Sequence, residues 1–275
     1  MNETTTRGAE GRAPVVGGNA GMSSEYLQVR GLSVEFDGFR ALSDVDLTLM
    51  QGDLRFLIGP NGAGKTTFID AVTGLVPATG SAQKSGVELV GRKVHHIARL
   101  GVGRTFQTAS VFEELTVTQN LDIAAGAGRS ALTMLRRRPA TMPQAISEAL
   151  ETTGLADLRD APAGVLAHGQ KQWLEIGMLL VQNASVLLLD EPVAGMSHEE
   201  REETGQLLRR IGGERTVVVV EHDMEFMRRF ATSVTVLAGG RVLAEGTVAE
   251  VQANPKVQEV YLGSATAAGA DGEGK

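Results

Sequence analysis

The sequence contains no cysteine, and this absence excludes disulfide bonds, thiol catalysis and thiolate metal sites. Aromatic residues make up only 4% of the chain, so aliphatic side chains must form most of any hydrophobic core. Lysine and arginine number 26 against 33 aspartates and glutamates, which gives a formal net charge of -7. This balance argues against a protein that binds nucleic acid through a general positive field.

Long apolar runs are also missing. No stretch approaches the roughly 18 apolar residues that a membrane-spanning helix needs. Residues 1–24 lack the continuous apolar segment of a secretory signal. Like residues 264–275, they are rich in small and polar residues, and both ends are predicted to be disordered because they bury too little apolar surface. We therefore expect a cytoplasmic protein with a single folded domain over residues 25–263.

The first part of that domain predicts strands followed by a nucleotide-binding unit. Residues 26–49 alternate apolar and polar side chains, which is typical of a half-exposed antiparallel sheet. The apolar run Leu54–Gly59 then leads through a glycine-rich turn into a helical pattern that begins at Lys65. Strand, glycine loop and helix in this order open an α/β nucleotide-binding fold.

The middle of the chain changes character. Residues 107–183 show helical periodicity with no convincing strand, so we predict a helical insertion there. The aliphatic runs "VLLLD" and "TVVVVEH" after it predict strands buried on both faces of a parallel sheet, separated by a crossover helix. The glycine pair at 239–240 predicts a final hairpin.

The glycine-rich turn "GPNGAGKT" matches the phosphate-loop pattern. Its glycines let successive backbone N–H groups face one anion, and the following helix adds the positive end of its dipole. Lys65 is predicted to contact the β- and γ-phosphates, Thr66 to ligate Mg²⁺, and Thr67 to contact the α-phosphate. A chance match is the alternative in a chain with 34 glycines, but the strand–loop–helix context favours a nucleotide site. The predicted nucleotide-binding residues of this segment are Gly59, Pro60, Asn61, Gly62, Ala63, Gly64, Lys65, Thr66 and Thr67.

Two adjacent carboxylates end the strand "VLLLD". Asp190 is predicted to hold Mg²⁺ and Glu191 to orient the attacking water, since ligands gather at the carboxyl ends of strands in such folds. The alternative is a strand followed by an ordinary charged turn. Two neighbouring carboxylates would be costly to desolvate without a cation, which favours the metal site.

The segment Leu166–Leu180, "LAHGQKQWLEIGMLL", resembles the signature of the ABC ATPases, and the resemblance covers residues 26–263. It implies an α/β fold of the P-loop NTPase class and ABC type, with a mixed core sheet, an antiparallel β subdomain and an inserted helical subdomain at about 107–183. It also implies ATP hydrolysis with ATP and Mg²⁺ as ligands. In this family the signature contacts ATP bound on a second subunit, so the resemblance implies a dimer. The matching residues are Leu166, Ala167, His168, Gly169 and Gln170.

This signature departs from the family pattern at two positions. Ala167 stands where the family has serine, and His168 stands where it has the first glycine. The missing hydroxyl is expected to weaken the γ-phosphate contact by about 0.5–1.5 kcal/mol. We expect a slower site, or one asymmetric site in a heterodimer.

Other residues occupy positions that the ABC resemblance makes functional. Gln107 matches the glutamine that touches magnesium and water and faces the transmembrane partner. His222 matches the switch histidine that bonds the γ-phosphate. Phe36 matches the aromatic residue that stacks on adenine, with Phe39 as its competitor.

The D-loop "DEPVAGMS" and the ending "EVYLG" are similar to ATPases of branched-chain amino acid and urea importers. Within that group, the segments "HGQKQWLEIGMLL", "EPVAGMS", "VVVVEHDMEF" and "VTVLAGGRVLAEG" are most similar to the D-type ATP-binding subunits of urea importers. The resemblance implies the motor of a urea importer at the cytoplasmic face of the plasma membrane. It implies as partners a second ATPase, favouring a heterodimer, permease subunits and, indirectly, a solute-binding protein, with no nucleic acid. The alternatives are a branched-chain amino acid importer ATPase, a weakly hydrolysing regulatory module and a non-transport ABC protein.

Overall fold

The computed structural model describes residues 27–105, 110–126 and 142–261. The strands are β1 (Leu27–Phe36), β2 (Phe39–Leu49), β3 (Leu54–Ile58), β4 (Thr79–Lys84), β5 (Val87–Glu88), β6 (Val102–Arg104), β7 (Val186–Asp190), β8 (Thr216–Val220), β9 (Ser233–Ala238) and β10 (Arg241–Gly246). The α-helices with defined bounds are α1 (Lys65–Val72), α2 (Val94–Arg99), α3 (Val117–Gly126), α4 (Gln144–Thr153), α5 (His168–Val181), α6 (His198–Gly212), α7 (Met224–Phe230) and α8 (Val248–Ala253). Short 3₁₀ helices lie at Ala156–Leu158 and Ala163–Val165, and residues 255–261 are helical.

One sheet is antiparallel, in the strand order β2-β1-β4-β5. Alternation along β1 places Leu27, Val29, Leu32 and Val34 in the core while their neighbours are more exposed. This confirms the antiparallel strands predicted for residues 26–49. Strands β4 and β5 were not predicted, because the polar segment "TGSAQK" of β4 has no clear apolar alternation and β5 has only two residues.

The other sheet is mixed, in the strand order β10-β9-β3-β8-β7-β6. Strands β9, β3, β8, β7 and β6 are parallel to one another, and the edge strand β10 pairs antiparallel with β9. Every residue of β3, β7 and β8 is buried, which confirms the predicted two-sided burial of the aliphatic strands. Helix α6 connects the parallel neighbours β7 and β8, and the β9–β10 hairpin turns at Gly239–Gly240, both as predicted.

Helices α3, α4 and α5 pack against each other beside the mixed sheet, through apolar side chains that include Leu121, Leu150 and Leu174. The only pairing between extended segments in the described part of 107–183 is an isolated bridge between Thr116 and Pro162. Residues 127–141 of the predicted helical insertion lie outside the described residues, as do the two predicted tails. The limits of the helical insertion therefore stay a prediction.

The sheet topology gathers the candidate site at one edge. Strands β3, β8 and β7 are parallel neighbours, so the loop before α1, the residues after β7 and the residues after β8 emerge together. Asp190 lies opposite Val220 in the register of β7 and β8, which places Glu191 beside the segment that carries His222. Across the described ranges, each helix is too short or too polar to cross a lipid bilayer.

Candidate nucleotide-binding site

The phosphate loop joins the buried strand β3 to helix α1. Its glycines adopt left-handed conformations, with φ of 153° at Gly59, 76° at Gly62 and 100° at Gly64. A Cβ atom at Gly59 would lie 2.1 Å from the carbonyl oxygen of Leu237. One at Gly64 would lie 2.7 Å from a methyl group of Leu42. Only glycine fits at these two positions, and the loop therefore curls as the motif requires.

Lys65 is the first residue of α1 and is buried. Its Nζ donates hydrogen bonds to the carbonyl oxygens of Gly59, at 2.8 Å, and Pro60, at 3.1 Å. Burial lowers the pKa of Lys65, while Glu191 and Asp190 raise it to a smaller extent. The ammonium group is thus hydrogen-bonded to the loop and attracted by the carboxylates of Asp190 and Glu191.

The N-terminus of α1 has no side-chain cap, since Gly64 occupies the N-cap position. The backbone N–H groups of the first turn, which includes Thr66 and Thr67, need partners outside the helix. A phosphate group satisfies such donors and is favoured by the helix dipole. The structure therefore supports anion binding where the sequence predicted it.

Asp190 ends β7 and is 1% exposed. Among the described residues, neither of its carboxylate oxygens has a well-formed hydrogen bond. Burial raises the pKa of Asp190, whereas the adjacent Thr66 hydroxyl and the Arg104 guanidinium lower it. A buried carboxylate whose oxygens lack well-formed hydrogen bonds is costly, and a cation lowers that cost.

The oxygen donors of Asp190 and Thr66 suit Mg²⁺, a hard cation that takes one or two protein ligands and completes its shell with phosphates and water. No cluster of three or more His, Asp or Glu side chains that could hold a metal occurs in the described part of the chain. The residues present therefore fit an ion shared with a nucleotide better than a metal held by protein alone.

Glu191 and His222 follow adjacent strands and come together. The Nδ1 atom of His222 lies 3.4 Å from Oε1 of Glu191. The backbone of Glu191 is left-handed, with φ of 50°, a conformation that non-glycine residues rarely adopt. Strain of this kind persists where the surroundings fix a functional side chain. The structure thus joins two residues that the sequence analysis proposed on separate grounds.

Thr105 is a site residue that the sequence analysis missed. It is 1% exposed, and its hydroxyl accepts a hydrogen bond from the backbone N–H of Asp190 at 3.3 Å. Its own N–H donates to Leu188 at 3.0 Å, which extends the pairing of β6 with β7. A lone threonine carries no sequence signal for such a role. Gln107 lies outside the described residues, so its contacts with magnesium and water stay predictions.

The signature residues form the start of α5. Ala167 is the N-cap, and its N–H donates to Oε1 of Gln170 at 3.0 Å. The Nε2 atom of His168 lies 3.1 Å from the carbonyl oxygen of Ala194. Gly169 is buried, and a Cβ atom there would lie 2.9 Å from Oε1 of Glu200. Leu166 is buried in the larger core cluster. Contact of this turn with a second subunit stays a prediction.

Replacing Ala167 by serine should stabilise the protein. At present only the Gln170 side chain contributes to a capping box, by accepting from the N–H of Ala167. A serine N-cap would accept a hydrogen bond from the N–H of Gln170 and so complete the box. We expect the free energy of unfolding to rise by about 0.5–2 kcal/mol in a denaturant titration. The control is Ala145→Ser, at an exposed position within α4, where serine should not stabilise. An equal response of both variants would contradict the capping explanation.

Phe36 and Phe39 face each other across the turn between β1 and β2. Both side chains are accessible, with exposed fractions of 41% and 68%. The turn residues Asp37 and Gly38 have φ of 46° and 86°, as a tight hairpin requires. Either ring is available to stack on a base, and the assignment to Phe36 stays a prediction.

A left-handed glycine loop between a buried strand and a helix, a buried lysine, and a buried carboxylate at the end of a nearby parallel strand define the P-loop class of nucleotide hydrolases. Comparison with known proteins identifies the family within that class. The sequence profile described as ABC transporter matches residues 42–194, and one described as branched-chain amino acid ATP-binding cassette transporter matches residues 241–267. The chain belongs to the ABC transporter family as an ATP-binding domain, which binds and hydrolyses ATP.

Relatives match nearly the whole chain. It is 35% identical over 255 residues to the high-affinity branched-chain amino acid transport ATP-binding protein BraF of Pseudomonas aeruginosa, covering 89% of this chain and 100% of the relative. It is 36% identical over 250 residues to the probable branched-chain amino acid transport ATP-binding protein LivG of Archaeoglobus fulgidus, covering 87% and 96%. The crystal structure of an ATP-binding cassette of an ABC transporter in its ADP conformation is similar, with a TM-score of 0.75 and 29% identity, over 87% of this chain and 99% of that one. The predicted ABC fold is confirmed.

Proposed function

We propose that this chain is the ATP-hydrolysing motor of an importer for branched-chain amino acids. The observation that carries the proposal is the near full-length similarity to transport ATP-binding proteins of that solute class. The profile match at residues 241–267 bears the same solute class and is independent of the nucleotide-binding motifs. These similarities favour branched-chain amino acids, which the sequence analysis offered only as an alternative, over urea, which was the first prediction.

Urea transport is the second candidate. The D-loop and signature segments resemble urea-type subunits, and the two solute classes belong to one group of importers. The cassette itself does not touch the solute, because in an importer the permease and the binding protein select it. Urea therefore serves as the competing substrate in the experiment below.

In the proposed hydrolytic site, Lys65 and the N-terminus of α1 bind the phosphates, and Thr66 and Asp190 hold Mg²⁺. The ion, when bound, offsets charge that develops on the transferred phosphoryl group. Glu191 orients the attacking water, and His222, 3.4 Å away, contacts the γ-phosphate. This pairing supports turnover and speaks against a regulatory module with negligible hydrolysis.

The proposed assembly contains a second ATPase, a permease and, indirectly, a solute-binding protein. Signature residues on one subunit would complete the ATP site on the other, and the departures at Ala167 and His168 favour a related but distinct second ATPase. Closure is favoured when ATP is bound, because its phosphates are neutralised from both faces, and it is lost after hydrolysis. The permease would hold the chain at the cytoplasmic face of the membrane.

Deleting the gene should abolish uptake of labelled leucine and leave uptake of labelled urea unchanged. We expect leucine uptake to fall to background, roughly tenfold or more, because an importer without its motor cannot complete a cycle. Wild-type chain and Glu199→Gln, an exposed carboxylate of α6, should restore uptake, and Glu191→Gln should not. If only urea uptake were lost, urea would replace branched-chain amino acids as the proposed solute. Unchanged uptake of both solutes would remove the proposal.

A further inference from the structure

Glu221 is a buried carboxylate to which the sequence analysis gave no role. It follows β8 directly, precedes His222 and is 1% exposed. Carboxylates are almost never fully buried unless they are paired or hydrogen-bonded. The partners of Glu221 therefore indicate why it is there.

The carboxylate of Glu221 joins two loops of the candidate site. Its Oε1 accepts a hydrogen bond from the N–H of Val193 at 3.2 Å. Its Oε2 accepts from the N–H groups of His222, at 3.1 Å, and Asp223, at 3.4 Å. Val193 belongs to the turn that begins at Glu191, whereas His222 and Asp223 lead into α7. One side chain thus ties the turn of the proposed water-orienting residue to the segment of the proposed switch histidine.

The turn that Glu221 holds contains the left-handed Glu191, with φ of 50°. Other restraints on this turn include hydrogen bonds from the N–H of Glu191 to the carbonyl oxygen of Val220, at 2.9 Å, and from the N–H of Ala194 to that of Glu191, at 3.1 Å. The N–H of Val193, which donates to Glu221, lies between these two donors in the sequence. Because this conformation is rarely adopted, it needs several such restraints to persist.

Burial also affects the charge of Glu221. It raises the pKa of Glu221 above its ordinary value, while the three backbone N–H groups and His222 lower it to a smaller extent. The hydrogen bonds to both loops offset part of the cost of burying this carboxylate, and they place it between the turn of Glu191 and the segment of His222.

We infer that Glu221 is a positioning residue for ATP hydrolysis, whose carboxylate fixes Glu191 and His222 relative to each other. The inference rests on the roles proposed above for those two residues. To hold both loops, the side chain at this position must accept hydrogen bonds on two oxygen atoms at once. Glutamine has nearly the same volume, but its NH₂ group would face a backbone N–H on one side and release that loop.

Glu221→Gln, in the full chain and in its complex with the permease, should lower kcat for ATP by about 10–100-fold, because small misplacements of reacting groups have effects of this size. The Kd for ATP should stay within about twofold, since Lys65 and the phosphate loop are untouched. The matched control is Glu225→Gln, an exposed carboxylate on the first turn of α7, which should keep wild-type kcat. An unchanged kcat in Glu221→Gln would overturn the inference, as would parallel losses of ATP affinity and rate.

A double-mutant cycle separates positioning from general damage. If Glu221 acts through Glu191 and His222, the loss of kcat in the variant Glu221→Gln/His222→Ala should be smaller than the product of the two single losses. Fully multiplicative losses would overturn the inference. If Glu221→Gln does not fold, Glu221→Asp keeps the charge but is too short to reach both loops, and wild-type kcat in that variant would overturn it too.

The same assay distinguishes this inference from the proposed site. If Glu191→Gln and His222→Ala both keep wild-type turnover, the proposed roles of these residues fail. If both lose turnover while Glu221→Gln keeps it, only the inference about Glu221 fails.

Discussion

Glu191→Gln should reduce ATP turnover by at least about 100-fold, the scale on which a positioned general base contributes. Glutamine keeps the size of the side chain but cannot accept a proton from water. The contact with His222, now 3.4 Å from Oε1, should survive in altered form because the backbone turn is unchanged. Steady-state phosphate release from the assembled complex measures the effect.

The same variant should accumulate ATP-bound dimers. Binding of ATP and Mg²⁺ draws on Lys65, Thr66 and Asp190, none of which is changed, so closure should proceed while reopening stalls. Size-exclusion chromatography with ATP and Mg²⁺ reports the dimer, and Glu199→Gln serves as the exposed-carboxylate control. Phosphate release at the wild-type rate would count against Glu191 as the hydrolytic carboxylate.

Asp190→Asn should have opposite effects on folding and on ligand binding. It removes a buried charge whose oxygens lack well-formed hydrogen bonds among the described residues, so the nucleotide-free protein should gain about 1–3 kcal/mol of stability at neutral pH. Each kcal/mol corresponds to roughly 2–4 °C in Tm for a chain of this size. ATP should then raise Tm equally with and without Mg²⁺, because the proposed metal ligand is gone.

The pH dependence of that gain follows from the pKa of Asp190, which burial raises in the folded protein. A group with a raised folded pKa stabilises fully below its unfolded value, about 3.9 for aspartate, and loses that contribution as pH rises through the folded pKa. The advantage of Asp190→Asn over wild type should therefore be absent in strong acid and complete above the raised pKa. Thermal melts across this range test it, and a constant advantage would contradict the buried-charge explanation.

Local patterns predicted the parts of the fold that they determine directly. The aliphatic runs of β3, β7 and β8 indicated buried strands, and the glycine loop indicated the helix that starts at Lys65. Strand β6 was missed because it spans only Val102–Arg104, too short for any periodicity to emerge. It is a strand because its backbone pairs with β7, a partner more than eighty residues away along the chain.

The residues of the candidate site also fall into those that the sequence predicts and those that only the structure reveals. Lys65, Asp190 and Glu191 were predicted because they lie in or beside a loop or strand with a recognisable pattern, and His222 was predicted from the ABC resemblance. Thr105 and Glu221 were not, since their roles depend on backbone N–H groups brought to them by folding. The solute class could not be predicted from these residues, because the roles proposed for them concern ATP and Mg²⁺.

The hydrogen bonds around Gly240 set a limit on how the protein can change. Its carbonyl accepts from the N–H of Ser43 in β2 at 2.8 Å, and its N–H donates to Ala63 in the phosphate loop at 3.2 Å. Main-chain hydrogen bonds therefore link the antiparallel sheet, the last hairpin and the nucleotide cradle. Most side-chain substitutions leave such a junction intact, so the surfaces of these three units can diversify toward new partners while the geometry around the phosphates stays fixed. A Cβ at Gly240 would lie 2.5 Å from the carbonyl oxygen of Ala41, which makes this glycine one point at which a single replacement would disturb all three units together.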